Sequence, residues 1–245
     1  MAGAAGWGAI AASSLVIGAL LGLHRRWPAR QVGVVLAFGA GALISAVSFE
    51  LAEEGIAVGG AGGVGAGLAV GALSYYSASR RLDRGGDRQG HRAPSRAGAA
   101  PEEGGNALAL GATLDGIPEQ LVLGIGLAGG AGVSAPLLLA IFISNLPEAI
   151  GSASEMHESG HHSRRAILGL WLVVAVAVTV ATVAGYALAD VTGPSFTAAL
   201  DGFAAGALLV MLIDSMIPEA ADKAGRVAGL VSVLGFAVAA GLSNM

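Results

Sequence analysis

Apolar residues run along this chain in long stretches broken by short polar segments, without the period-two alternation of membrane barrel strands. A helix that crosses a hydrocarbon core of about 30 Å needs about 20 such residues. Eight stretches meet that length: Gly3–Leu23, Gln31–Ala52, Ile56–Ser77, Asn106–Ala128, Val133–Ser154, Ala166–Ala189, Phe196–Pro218 and Val227–Ser243. The pattern therefore predicts an all-α integral membrane protein, a bundle of eight transmembrane helices. The first stretch has no basic residues before it and several after it, so it reads as a span rather than a secretory leader.

Charge gives the orientation. Arg25, Arg26 and Arg30 lie between spans one and two, and Arg80, Arg81, Arg84, Arg88, Arg92 and Arg96 between three and four. Arg164 and Arg165 lie between five and six, and Lys223 and Arg226 between seven and eight. All 13 Lys and Arg residues thus fall in alternate connections, and the others are short and neutral or acidic (Glu53, Glu54, Asp190). Basic connections stay on the cytoplasmic side. Both termini are then extracytoplasmic. Residues 1–77 carry the first three spans, 78–105 form a Gly-, Arg-, Ser- and Pro-rich cytoplasmic loop read as flexible, and 106–245 carry the other five.

Composition narrows the class. Of 245 residues, 54% are hydrophobic and 12% charged, against about 25% charged in a typical soluble domain. Mean hydropathy is +0.71. These values exclude a disordered chain, a coiled coil and most soluble enzymes, and no enzymatic activity is expected. There is no cysteine, hence no thiolate ligand or nucleophile. A net charge of −4 without a basic groove pattern gives no reason to expect nucleic acid as a partner. Glycines such as Gly59, Gly63, Gly67 and Gly71 recur at helical spacing, which predicts close helix packing in lipid and permits a homodimer without requiring one.

The candidate chemistry lies in spans four and five. A charge at the centre of a membrane helix costs about 2.5–3.5 kcal/mol on insertion scales. Yet Asp115, Glu119 and Glu148 stand near mid-span, with Thr113, Ser144 and Asn145. Asp115 and Glu119 are four residues apart, as are Ser144 and Glu148, so each pair shares a helix face. Pro118 and Pro147 each remove a backbone hydrogen bond, releasing the carbonyls of Leu114 and Ile143. Two neighbouring helices would thus direct an oxygen-rich donor set at one point, suited to a cation. The plainer alternative is a protonated carboxyl bonded to the next helix, with the prolines as simple kinks.

At these residues the chain resembles the ZIP (Zrt/Irt-like) family of divalent metal transporters, as a divergent member of bacterial or archaeal type. That family has eight spans, external termini and a long cytoplasmic loop after span three. Its span-four motif, His-Asn-x-Pro-Glu-Gly, reads Asp115-Gly116-Ile117-Pro118-Glu119-Gln120 here. Its span-five motif reads Ser144-Asn145-Leu146-Pro147-Glu148-Ala149. The resemblance implies metal ligation by Asp115, Glu119, Ser144 and Glu148, with Asn145 at a second metal that Glu119 and Glu148 bridge. Asp115 and Gly116 replace a histidine and an asparagine, so the second metal loses a ligand. The family implies zinc as the transported ion, whereas an all-oxygen donor set pulls toward manganese or iron(II). No organic cofactor is implied. The implied location is the plasma or inner membrane.

Weaker candidates surround this pair. Glu50, near the outer end of span two, with Glu53 and Glu54, reads as a cation-attracting vestibule or as an ordinary acidic loop. Asp214 in span seven reads as part of an exit route or a proton relay, and Glu219 as an interface cap. His157, His161 and His162 form a cytoplasmic cluster able to take up a departing metal, or a solvated loop. The function these features predict is uptake of a divalent cation by alternating access. The rivals are a proton-coupled carrier of a non-metal substrate, a membrane protein that binds metal without transport, and an intramembrane aspartyl enzyme built on Asp115 and Asp214.

Overall fold

The computed structural model describes residues 1–87, 101–128, 133–190 and 193–243, with side chains throughout except at 82–87, 101–110 and 190. Arg88, His91, Arg92 and Arg96 of the expected cytoplasmic loop lie outside the described residues. Every described element is helical. The helices form eight rods: α1 (Ala2–His24), α2 (Ala29–Gly59), α3 (Ala61–Asp87), α4 (Pro101–Ala128), α5 (Ala135–Glu158), α6 (Arg164–Asp190), α7 (Pro194–Ala224) and α8 (Val227–Ser243). Five of them, α1, α2, α5, α6 and α7, are long and apolar enough to cross a membrane. The shorter α8 is also apolar, and its 17 residues span about 26 Å.

The rods begin and end where local chemistry dictates. Ser134 caps α5 by accepting the Leu137 N–H at 3.2 Å, and Pro194 opens α7 at a position with no backbone bond to lose. Gly60 turns the chain from α2 to α3 at φ +86°, a left-handed conformation open to glycine at no steric cost. This break differs from the expected one. The acids Glu53 and Glu54 suggested a loop there, but the helix runs through both and ends at Gly59. Both side chains are exposed, so they ride on the helix surface without interrupting it. Likewise α3 continues to Asp87 and α4 starts at Pro101, so helix covers both ends of the segment read as a flexible loop.

Two rods change pitch midway. α2 contains a π-helical turn at Val47–Glu53, and α7 one at Leu212–Met216. Such turns shift every following side chain around the helix axis and recur at functional sites. In α7 the turn ends just before Pro218, so the backbone bond that proline cannot make falls at the junction rather than inside a regular helix.

Packing follows small residues. α3 lies along α7, α4 along α6, α1 along α5 and α6, and α2 against α5, α7 and α8. A methyl group on Gly67 or Gly71 of α3 would fall onto the carbonyls of Ala199 and Phe203 in α7; one on Gly202 or Gly206 would fall onto those of Val64 and Leu68 in α3. The two backbones are therefore in mutual contact, which is where dispersion gives most in lipid. Gly59 and Gly63 face the same helix, at Ala198 and Ser195, so the predicted stripe is a packing seam.

The bundle carries its polarity inside. Leu230 and Val233 of α8 are 75% and 67% exposed, and Val173 and Val180 of α6 are likewise open. Asp115, Glu119, Gln120, Ser144, Asn145, Thr182 and Asp201 are buried. A large apolar exterior is unfavourable in water and suits a lipid surround.

Candidate functional site

α4 and α5 continue as helices through Pro118 and Pro147, and each carries its polar pair onto one face. Those faces meet α7 and α2 around a narrow crevice with room for roughly one water molecule. Its polar lining is Asp115 and Glu119 from α4, Ser144 and Glu148 from α5, and Ser215 and Glu219 from α7. Leu36, Met211 and Met216 close the apolar sides. Gly39 permits the approach of α2, since a methyl there would stand 2.9 Å from the Ser144 Cα.

Each buried donor has a defined setting. The Tyr75 hydroxyl of α3, itself buried, donates to Asp115 Oδ1. Ser144 Oγ lies 3.0 Å from Glu119 Oε1 and 2.9 Å from the Ile141 carbonyl. A hydroxyl has one proton, so it serves one of these acceptors at a time. It turns to Glu119 when that carboxylate is ionised; when Glu119 holds a proton, Glu119 donates to Ser144 and Ser144 to Ile141. Glu119 is only 2% exposed, and its Oε2 is buried with no hydrogen-bond partner. Such an orphaned oxygen costs about 1–3 kcal/mol or more if left unmet. Asn145 is buried too; its Nδ2 makes no close hydrogen bond, but its side chain stands near the Glu119 carboxylate. Gln120 points to the opposite interface, where it accepts a hydrogen bond from Thr182 of α6.

Four of the five principal sequence candidates thus line one crevice: Asp115, Glu119, Ser144 and Glu148. Asn145 sits beside them in the packed interior and does not line it. The weaker candidates go elsewhere. Asp214 is exposed on the outer side of α7, so it neither faces the crevice nor pairs with Asp115. Glu50 lies on the π turn of α2, where Ser134 donates to Oε2 and Ser243 to Oε1 at 3.1 Å, tying α2 to the start of α5 and the end of α8. The histidines separate: His157 lines a cleft with His24, Arg25, Arg26 and Arg164, whereas His161 and His162 do not line it. With Arg26 bonded to Glu158 at 3.0 Å, that cleft is dominated by positive charge and is a poor cation site. Among the described residues, no three His, Asp or Glu side chains stand close enough together to hold a metal ion as they are.

Sequence reasoning missed Tyr75 and Ser215 and assigned Glu219 to the interface. A signal existed for the last two. The segments Asp115-Gly-Ile-Pro-Glu119, Ser144-Asn-Leu-Pro-Glu148 and Ser215-Met-Ile-Pro-Glu219 share one pattern, an oxygen side chain three residues before Pro and four before Glu. All six end residues line the crevice. No protein-family model matches the chain, and no curated protein matches it.

Proposed function

We propose that this chain is a divalent metal cation transporter of ZIP type, seated in the cell membrane with eight spans and both termini outside. Zinc is the leading substrate, with manganese and iron(II) favoured next by the all-oxygen donor set. The observation that carries this reading is the meeting of Asp115, Glu119, Ser144 and Glu148 around one crevice inside an apolar-skinned bundle. Carboxylates are brought into a membrane interior at a cost, and a dication offsets it.

The chemistry is exchange of water for protein oxygen. A hydrated cation sheds water onto Asp115, Glu119 and Glu148. Glu119 Oε2, buried and unmatched, has a lone pair to give, and Ser144 orients the other oxygen. The small crevice suits a largely dehydrated ion and argues against an organic substrate. Rocking of one helix group against another then opens the site to the cytoplasm. The glycine seam between α3 and α7 makes those two rods a natural rigid unit.

The test is uptake into proteoliposomes from a panel of zinc, manganese, iron(II), cobalt, cadmium and magnesium, with wild type beside the Glu119→Ala/Glu148→Ala double variant. Wild-type uptake lost in the variant is the expected result. Equal uptake by both rules out this site. Metal binding without uptake makes the chain a metal-binding membrane protein instead.

A further inference from the structure

The glutamate of the third Pro-Glu segment stands beside a cation. Lys223 Nζ lies 2.7 Å from Glu219 Oε1, one helical turn further along α7. The lysine does not extend away from the bundle. It crosses α2 at Gly33, where a methyl group would meet the Lys223 Cβ at 2.6 Å. Its ammonium reaches α5, lying 3.3 Å from where a methyl on Gly151 would stand. Two absent side chains, one on each neighbouring helix, make room for it. Glu155 of α5 lies within electrostatic reach of both Lys223 and Glu219. The side chains of the pair are 22% and 35% exposed, so solvent screens them only in part.

From this arrangement we propose that Glu219 is a third carboxylate ligand of the crevice cation, held in reserve by Lys223, which acts as a tethered ammonium that the metal must displace. The proposal rests on the metal-site reading above and extends it to α7. A further observation supports it. Glu119 Oε2 is a buried, unpartnered oxygen in the wall that Glu219 shares. Release of Lys223 frees Glu219 to close on the ion and leaves the ammonium near Glu155. One cation leaves the Glu219 carboxylate as another arrives; the incoming ion carries +2 against the ammonium's +1, and the extra charge falls to the other carboxylates of the crevice. Ser215, four residues before Glu219, supplies a neutral oxygen from the same helix, as Ser144 does from α5.

The experiment is equilibrium zinc binding to the purified full-length chain in detergent, for wild type, Lys223→Met, Glu219→Gln, the Lys223→Met/Glu219→Gln double variant and Glu119→Gln. Lys223→Met removes the competitor and keeps most of the side-chain length, so zinc should bind roughly two- to fivefold more tightly, the worth of a partly exposed ion pair. Glu219→Gln should bind more weakly than wild type. The double variant should match Glu219→Gln, because without the glutamate there is nothing for the lysine to occlude. Lys223→Arg should stay near wild type. Monodisperse elution and an unchanged melting temperature establish that each variant is folded. Unchanged affinity in Lys223→Met, or a gain that persists in the double variant, overturns the proposal. If Glu119→Gln leaves zinc binding intact, the metal-site reading itself fails and this one falls with it.

Discussion

Glu50 and Glu119 look alike along the chain: each is an acid in a long apolar helix, and each meets a serine from another helix. Their surroundings divide them. Glu50 has both oxygens engaged, one by Ser134 and one by Ser243, and it joins three helices near one end of the bundle. Glu119 has one oxygen beside Ser144 and the other buried with no partner, in the wall of a crevice. A carboxylate whose lone pairs are consumed by hydroxyls serves as a clamp. One with an oxygen to spare has something to give an incoming cation. Serine is present in both settings, so the distinction lies in how many oxygens are satisfied.

The comparison can be broken most directly at Glu119. Glu119→Gln keeps the volume and removes the charge; zinc uptake by proteoliposomes should fall roughly tenfold or more, the scale on which metal sites respond to lost shell groups. Its melting temperature should stay near that of wild type, since a neutral amide is easier to bury than a carboxylate. Glu50→Gln should do the reverse. It weakens two hydrogen bonds to a charged acceptor and should lower stability by about 1 kcal/mol, with uptake within about twofold of wild type. If both variants lose uptake alike, the division between clamp and ligand is wrong. The smallest effect is expected at Asp214. Asp214→Asn alters an exposed side chain off the crevice and should change stability by less than about 0.5 kcal/mol. A strong loss of uptake in Asp214→Asn would place part of the pathway on the outer side of α7.

The two π turns repeat the lesson. Each lies in a long rod and carries an acid, Glu50 in α2 and Asp214 in α7. In α2 the acid turns to meet serines from other helices. In α7 it faces outward, while Ser215 and Met216 line the crevice. Asp214 stands out along the chain as an acid inside an apolar span, whereas Ser215 carries no charge to mark it. Pro-Glu repetition was the stronger signal, since the spacing from Ser215 to Glu219 repeats that from Ser144 to Glu148.

The sequence by itself determined the eight helical rods, because apolar runs of this length leave the backbone no better way to satisfy its hydrogen bonds. It determined where two of the three polar pairs stand on their helices, because residues four apart must share a face. It also determined the close seam of α3, because glycines every four residues leave nothing to hold neighbouring backbones apart. Tertiary structure alone decided which rods are neighbours, and therefore that α7 completes the crevice and that Tyr75 reaches Asp115. Those pairings join residues on different rods or depend on a local change of pitch. No helical period encodes them, because they follow from the way the whole bundle closes.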